Sequence, residues 1–124
     1  MAILSGISVL SCQSIQQTLE FYEQLLQFVV VNKREQEGGL QWVHLMHGGT
    51  TIMLQNEDDH TVPADDISRS TISLYFFVDN IHELHHRVKL KHPQVSDIIQ
   101  SEYRIDEFSM KDPEGNRVII GQKK

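Results

Sequence analysis

The layout of this chain repeats itself at an offset of sixty-six residues, and a duplicated unit constrains the fold more than any single motif. Ile15 is echoed by Ile81, Ser14 by Asn80 and Gln17 by Glu83; further on, Gly49 maps onto Gly115, Ile52 onto Val118 and Leu54 onto Ile120. Helix caps, turn glycines and apolar phases therefore recur together. Such a duplication predicts two similar halves facing each other across a shared, pseudo-symmetric cleft.

Each half can be read in the same order. Residues 3–12, with Ile3, Ile7, Val9 and Leu10, alternate loosely and predict a first strand. Ser14 and Gln17 form a capping box, and Ile15, Leu19, Tyr22 and Leu26 recur at helical spacing, so a helix is predicted over 15–26. Phe28–Val31 reads as a strand, Glu37-Gly38-Gly39 as a turn, and Leu40–Met46 and Thr50–Gln55 as strands joined around His47-Gly48-Gly49. Residues 56–70, with Asp58, Asp59, Pro63, Asp65 and Asp66, read as a solvated linker. The pattern then restarts. Ile72–Val78 is strand-like, Asn80 with Glu83 caps a helix marked by Ile81, Leu84 and Val88, and His92-Pro93 ends it. Val95–Gln100, Tyr103–Lys111 and Asn116–Gly121 complete three more strands. The expectation is one α+β domain over 1–124, with module one at 1–55, the linker at 56–70 and module two at 71–124.

Asp112-Pro113-Glu114-Gly115 has the signature of a type I turn. If that turn closes its hairpin directly, Lys111 pairs with Asn116, Met110 shares a face with Arg117, and Phe108 with Ile119. Carried back by the offset, Trp42 stands opposite Met53 and His44 opposite Thr51. A slip of one residue would turn every side chain to the other face.

Composition excludes several classes of function. The net charge of −6 and the lack of a basic stripe argue against nucleic acid as a partner. No stretch approaches the roughly 18 apolar residues of a membrane-spanning helix. Cys12 is the only cysteine, so no internal disulfide forms, which suits the cytoplasm, and a buried inert thiol is expected there.

Phe21-Tyr22, Leu25-Leu26-Gln27-Phe28, Val78-Asp79-Asn80, and Glu107-Phe108 leading into Asp112-Pro113-Glu114-Gly115-Asn116 occur in a telling order. In this the chain resembles the vicinal oxygen chelate superfamily, the group of glyoxalase I, extradiol dioxygenases and bleomycin resistance proteins. The resemblance covers nearly the whole chain and implies two βαβββ modules forming an open-barrel cleft, usually in a homodimer. Gln27 stands where the family commonly has a glycine, which implies mild strain at the helix end. Metal-dependent members place two ligands in each module, and the corresponding positions here are Ile7, Met53, Ser73 and Ile119. Hard divalent cations need carboxylate oxygens or imidazole nitrogens, which this set lacks. No metal or other cofactor is therefore expected.

His82-Glu83-Leu84-His85-His86 matches the HExxH pattern of zinc proteases. With Ile81, Leu84 and Val88 defining the buried face, His82 and His86 point to solvent, so a solvated helix is the better reading. His47, His60 and His92 fall in turns or loops. Glu107 reads as a surface ion-pairing residue rather than one of a catalytic pair. Alternation and the inferred register place Ile7, Val9, Trp42, His44, Met53, Gln55, Ser73, Tyr75, Phe77, Phe108, Met110, Arg117 and Ile119 on the cleft. Ile52, Leu54, Ile72, Leu74, Val118 and Ile120 are expected beneath the helices. Aromatic walls with a few polar groups suit a small organic ligand. The leading expectation is a metal-independent, bleomycin-resistance-like protein that sequesters an aromatic or cationic molecule. Alternatives are a related lyase, isomerase or oxygenase using His44 or Glu107, and a non-catalytic dimer whose cleft is filled by its own side chains.

Overall fold

Alternating apolar and polar residues build two four-stranded mixed sheets, each covered on one face by a helix. The structure is a computed structural model that describes residues 1–57 and 71–124. The expected linker lies, from residue 58 on, outside the described residues, as does His60. The chain divides into two units, Met1–Ile67 and Ser68–Lys124.

In the first unit, β1 (Ser8–Cys12) leads into α1 (Ile15–Glu20), which continues as a π-helical turn at Phe21–Leu25. β2 (Val29–Gln36), β3 (Gly39–His47) and β4 (Thr50–Asn56) follow, and the sheet order is β1-β4-β3-β2. The second unit runs β5 (Ser73–Phe77), α2 (Ile81–Lys91), β6 (Ile99–Gln100), β7 (Ile105–Lys111) and β8 (Arg117–Lys123), in the order β5-β8-β7-β6. Both sheets pair first and last strands in parallel and the rest antiparallel, so the duplication holds at the level of topology.

One face of each sheet is apolar and dry. Leu10, Cys12, Val43, Leu45, Ile52 and Leu54 are buried with Ile15, Thr18, Leu19 and Tyr22 of the first helix. In the second unit Leu74, Phe108, Met110, Val118 and Ile120 are buried with Ile81, Leu84 and Val88. Each large aliphatic side chain so buried contributes about 1.5–3 kcal/mol. Cys12 is fully buried, its thiol directed at the Leu10 carbonyl oxygen, as expected of an inert core cysteine.

The helix ends differ from each other. Asn80 Oδ1 accepts from the Glu83 amide at 3.2 Å while its Nδ2 donates to Glu83 Oε2, so the second cap forms as predicted. Ser14 makes no side-chain cap bond; Thr18 Oγ1 instead donates to the Ser14 carbonyl, and the capping box expected with Gln17 is absent. A hydroxyl one turn in competes for that end of the helix. At the other end Gln27 adopts φ 59°, the left-handed conformation usually given to glycine, and the Phe28 amide bonds back to the Tyr22 carbonyl.

Several boundaries move. β1 begins at Ser8, not residue 3, because among the described residues no strand pairs with Ile3 or Leu4, which stay 85% and 94% exposed. The strand expected at Val95–Gln100 shrinks to Ile99–Gln100. There Ser96 turns to bind β7, its hydroxyl accepting from the Ser109 amide. Ile72 is exposed rather than beneath a helix, since it precedes β5 and its amide is held by Asn116 Oδ1.

Candidate functional site

The faces opposite the helices carry the candidate residues, and strand register decides which they are. In the first unit Val9, Met53, His44 and Asn32 form one row across the sheet, and Ser11, Gln55, Trp42 and Arg34 the next. The expected pairing of Trp42 with Met53 and His44 with Thr51 is thus displaced by two residues. A shift of two preserves the face, so Trp42, His44, Met53 and Gln55 remain together as predicted. Trp42 and His44 lie with ring centroids 6.2 Å apart. Among the described residues the buried Nε2 of His44 meets no hydrogen-bond partner. Ile7 immediately precedes β1 and is partly exposed.

In the second unit the hairpin slips by one, which overturns part of the expected site. Lys111 pairs with Arg117, Met110 with Val118, Ser109 with Ile119 and Phe108 with Ile120. The type I turn does form, with the Gly115 amide donating to the Asp112 carbonyl. Gly115, however, takes φ 86° and adds one residue before the ladder resumes, so the Asp112 amide also donates to the Asn116 carbonyl, and Asn116 rather than Gly115 stands opposite Asp112. Asp112 braces the loop: Oδ1 accepts from the Glu114 and Asn116 amides, and Oδ2 from Asn116 Nδ2. Phe108 and Met110 consequently belong to the core, not to the candidate site. Phe108 is 2% exposed and meets the His85 ring edge-on at 4.9 Å.

The same slip brings Glu107, Ser109 and Lys111 onto the face with Ser73, Tyr75 and Phe77. Ser73 and Arg117 share one row, Tyr75, Ile119 and Ser109 the next, and Phe77, Gly121 and Glu107 the third. Tyr75 donates its hydroxyl proton to Glu107 Oε2 at 2.5 Å, a short charge-assisted bond. Its pKa is pushed up to about 12 by partial burial, then by that bond and by the carboxylate charge. The Tyr75 ring lies directly over Gly121: a Cβ there would fall 2.8 Å from its Cε1 and Cζ, so any other residue would push the Tyr75 ring aside. Phe77 stacks at a tilt against Tyr75 with centroids 4.9 Å apart and receives the Lys123 ammonium 4.8 Å above its ring. Glu107, Gly121 and Lys123 were not placed on this face from sequence, although a glycine closing a type I turn is a recognised signal for the bulge that puts them there.

The four positions that the resemblance pairs with family metal ligands carry Ile7, Met53, Ser73 and Ile119, and none of these side chains is a carboxylate or imidazole. Among the described residues no three of His, Cys, Asp and Glu converge as a metal-binding group. His82 and His86 of the HExxH pattern are exposed on α2, whereas His85 donates from Nε2 to the Ser96 carbonyl at 2.9 Å. His47 donates from Nδ1 to the Leu26 carbonyl and buttresses the end of the first helix. Among the described residues no helix is long and apolar enough to cross a membrane.

A family model described as the Glyoxalase/Bleomycin resistance protein/Dioxygenase superfamily matches residues 6–120. Solved structures share the fold at low identity. TioX from Micromonospora sp. ML1 has a TM-score of 0.80 at 11% identity, with 95% of this chain and 97% of that one covered. A bleomycin-binding protein complexed with bleomycin has a TM-score of 0.71 at 19% identity, with 97% and 98% covered. Lactoylglutathione lyase from Agrobacterium tumefaciens has a TM-score of 0.73 at 19% identity, with 98% and 92% covered. No curated protein matches the sequence as a relative.

Proposed function

The chain belongs to the Glyoxalase/Bleomycin resistance protein/Dioxygenase superfamily, and from that premise we propose that it binds a small aromatic or cationic organic molecule without a metal. The observation that carries this reading is a contrast on the sheet faces. On the first sheet the family's ligand positions hold Ile7 and Met53 beside Trp42, His44 and Gln55; on the second they hold Ser73 and Ile119 beside Tyr75, Phe77 and Arg117. Aromatic surface with a few polar groups binds organic molecules, whereas that ligand set offers a hard cation almost nothing. The bleomycin-binding relative, solved with bleomycin, supports a small-molecule ligand. We further propose a cytoplasmic homodimer acting by sequestration, as in antibiotic resistance; the single buried Cys12 suits a reducing compartment.

Metal analysis of protein purified without a histidine tag, followed by a thermal-shift screen of aromatic and cationic compounds, tests the proposal. Less than about 0.1 metal per chain and a concentration-dependent rise in melting temperature are expected, since a ligand selective for the folded state stabilises it. Stoichiometric metal lost on substituting Met53 or Ser73 would overturn it.

A second reading is an enzyme, and the specific observation in its favour is the buried His44 Nε2 of the first unit, which has no hydrogen-bond partner among the described residues, with the half-buried Glu107 carboxylate of the second unit as another candidate acid or base. Turnover of a screened compound, abolished by His44→Ala or Glu107→Gln with the fold intact, would establish it.

A further inference from the structure

The second sheet face is more specific than an aromatic wall, and its specificity is visible in what already occupies it. Lys123 lays its ammonium over Phe77 at 4.8 Å, the arrangement in which a cation is attracted by the negative face of an aromatic ring. Glu107 sits in the same row as Phe77 across Gly121, and the Tyr75 ring lies over Gly121 between them, packed against Phe77 at one side and bonded to Glu107 at the other. Glu107 is half-buried, and Oε2 is engaged by Tyr75, leaving Oε1 open among the described residues. Tyr75 therefore aims the carboxylate rather than neutralising it, because a phenol held in its neutral form donates a hydrogen bond without adding positive charge. Phe77 remains 57% exposed and Tyr75 38%, so two ring surfaces stay accessible beside one oriented carboxylate.

We propose that Tyr75, Phe77, Glu107 and Gly121 form a subsite for the ammonium or amidinium group of an organic ligand, and that Lys123 is a tethered competitor that must swing away for the ligand to enter. The subsite deepens the small-molecule-binding reading and rests on it. The ligand's cation takes the Lys123 position over Phe77, its N–H groups reach Glu107 Oε1, and its apolar body lies along Tyr75. A neutral isostere keeps a hydrogen bond to the carboxylate but lacks both the cation–π attraction and the ion pair with Glu107. Lys123 raises the threshold for binding, so weakly cationic or neutral compounds are excluded while a ligand that also engages Glu107 prevails.

Benzamidinium chloride is a suitable probe and benzamide its neutral control, each titrated into isotope-labelled full-length protein followed by amide and lysine side-chain resonances. Benzamidinium is expected to shift Tyr75, Phe77, Glu107 and Gly121 amides and to move the Lys123 side chain, with a dissociation constant on the order of 1 mM, while benzamide does neither. Lys123→Met should tighten benzamidinium by about 2- to 5-fold, matching loss of one exposed cation–π competitor. Glu107→Gln should weaken it at least about 5-fold. Phe77→Leu, a milder surface change, should also weaken it and stands in if Glu107→Gln perturbs the fold. The subsite is refuted if benzamide binds equally, if Lys123→Met leaves affinity unchanged or weaker, or if those four amides stay still up to about 20 mM probe. Benzamidinium that moves Trp42 fluorescence but not those amides sinks the subsite and leaves the general binding reading intact. Silence of both signals toward benzamidinium and toward every compound in the thermal-shift screen retires both.

Discussion

Truncating Phe108 and Phe77 to alanine, one at a time, tests the strand register on which the candidate face depends. Phe108 is 2% exposed, pairs with Ile120, and meets His85 edge-on at 4.9 Å. Removing a buried phenylalanine ring costs about 3–5 kcal/mol, the transfer loss plus the cavity left behind. Phe77 is 57% exposed, so less than half of its burial is at stake. Taking roughly 1.5–3 kcal/mol for full burial gives about 1 kcal/mol, and the exposed Lys123 contact adds about 0.5 kcal/mol. Phe108→Ala should therefore be the worse of the two by about 2–3 kcal/mol. For a chain of this size that separates the melting temperatures by roughly 6–18 °C. Urea melts followed by far-ultraviolet circular dichroism, with equal slopes in both variants, give the comparison directly. Had the type I turn closed the hairpin without its bulge, Phe108 would lie beside Ile119 on the open face and its truncation would be as mild as that of Phe77. Variants within about 0.5 kcal/mol of each other, or in reversed order, would refute the bulged register.

Three further outcomes follow from the local chemistry. Gln27→Gly should raise stability by roughly 0.5–1 kcal/mol, because the left-handed conformation costs glutamine more than glycine's extra backbone entropy; denaturant titration showing a loss would refute the strain. Asp112→Ala should cost about 2–4 kcal/mol, since two amides and the Asn116 side chain lose a buried acceptor, and amide exchange at Glu114 and Asn116 should accelerate with it. Tyr75, raised to about 12 in the folded chain, keeps its proton where the unfolded chain has lost it. Its stabilising contribution is complete below pH ~10 and is lost as pH rises from there through about 12. Phenolate absorbance should show Glu107→Ala moving that ionisation down; an unchanged titration would break the assigned pair.

The repeated order of elements, the dry face of the first sheet, the buried side of β5 and β8 and the burial of Ile81, Leu84 and Val88 could be read from periodicity, because side-chain direction follows arithmetically from helix and strand geometry; Phe108 and Met110 of β7 could not. The absence of hard-cation donors at Ile7, Met53, Ser73 and Ile119 was equally legible, since it depends on residue identity alone. Strand ends were less so. Ile3 and Leu4 have strand-like side chains, but a strand exists only where a partner's backbone reaches it, and β4 begins to pair β1 at Ser8.

Residue types and their spacing thus determined the duplicated α+β architecture and the chemistry available to it. Which side chains share a surface was decided in three dimensions, by the one residue that Gly115 inserts before β8 resumes its ladder. Because sheet side chains alternate with a period of two, that single residue sends Phe108 into the core and brings Glu107 up beside Tyr75 and Phe77. Periodicity fixes the spacing of side chains along a strand, but their facing depends on where pairing starts, and that is a property of the folded hairpin.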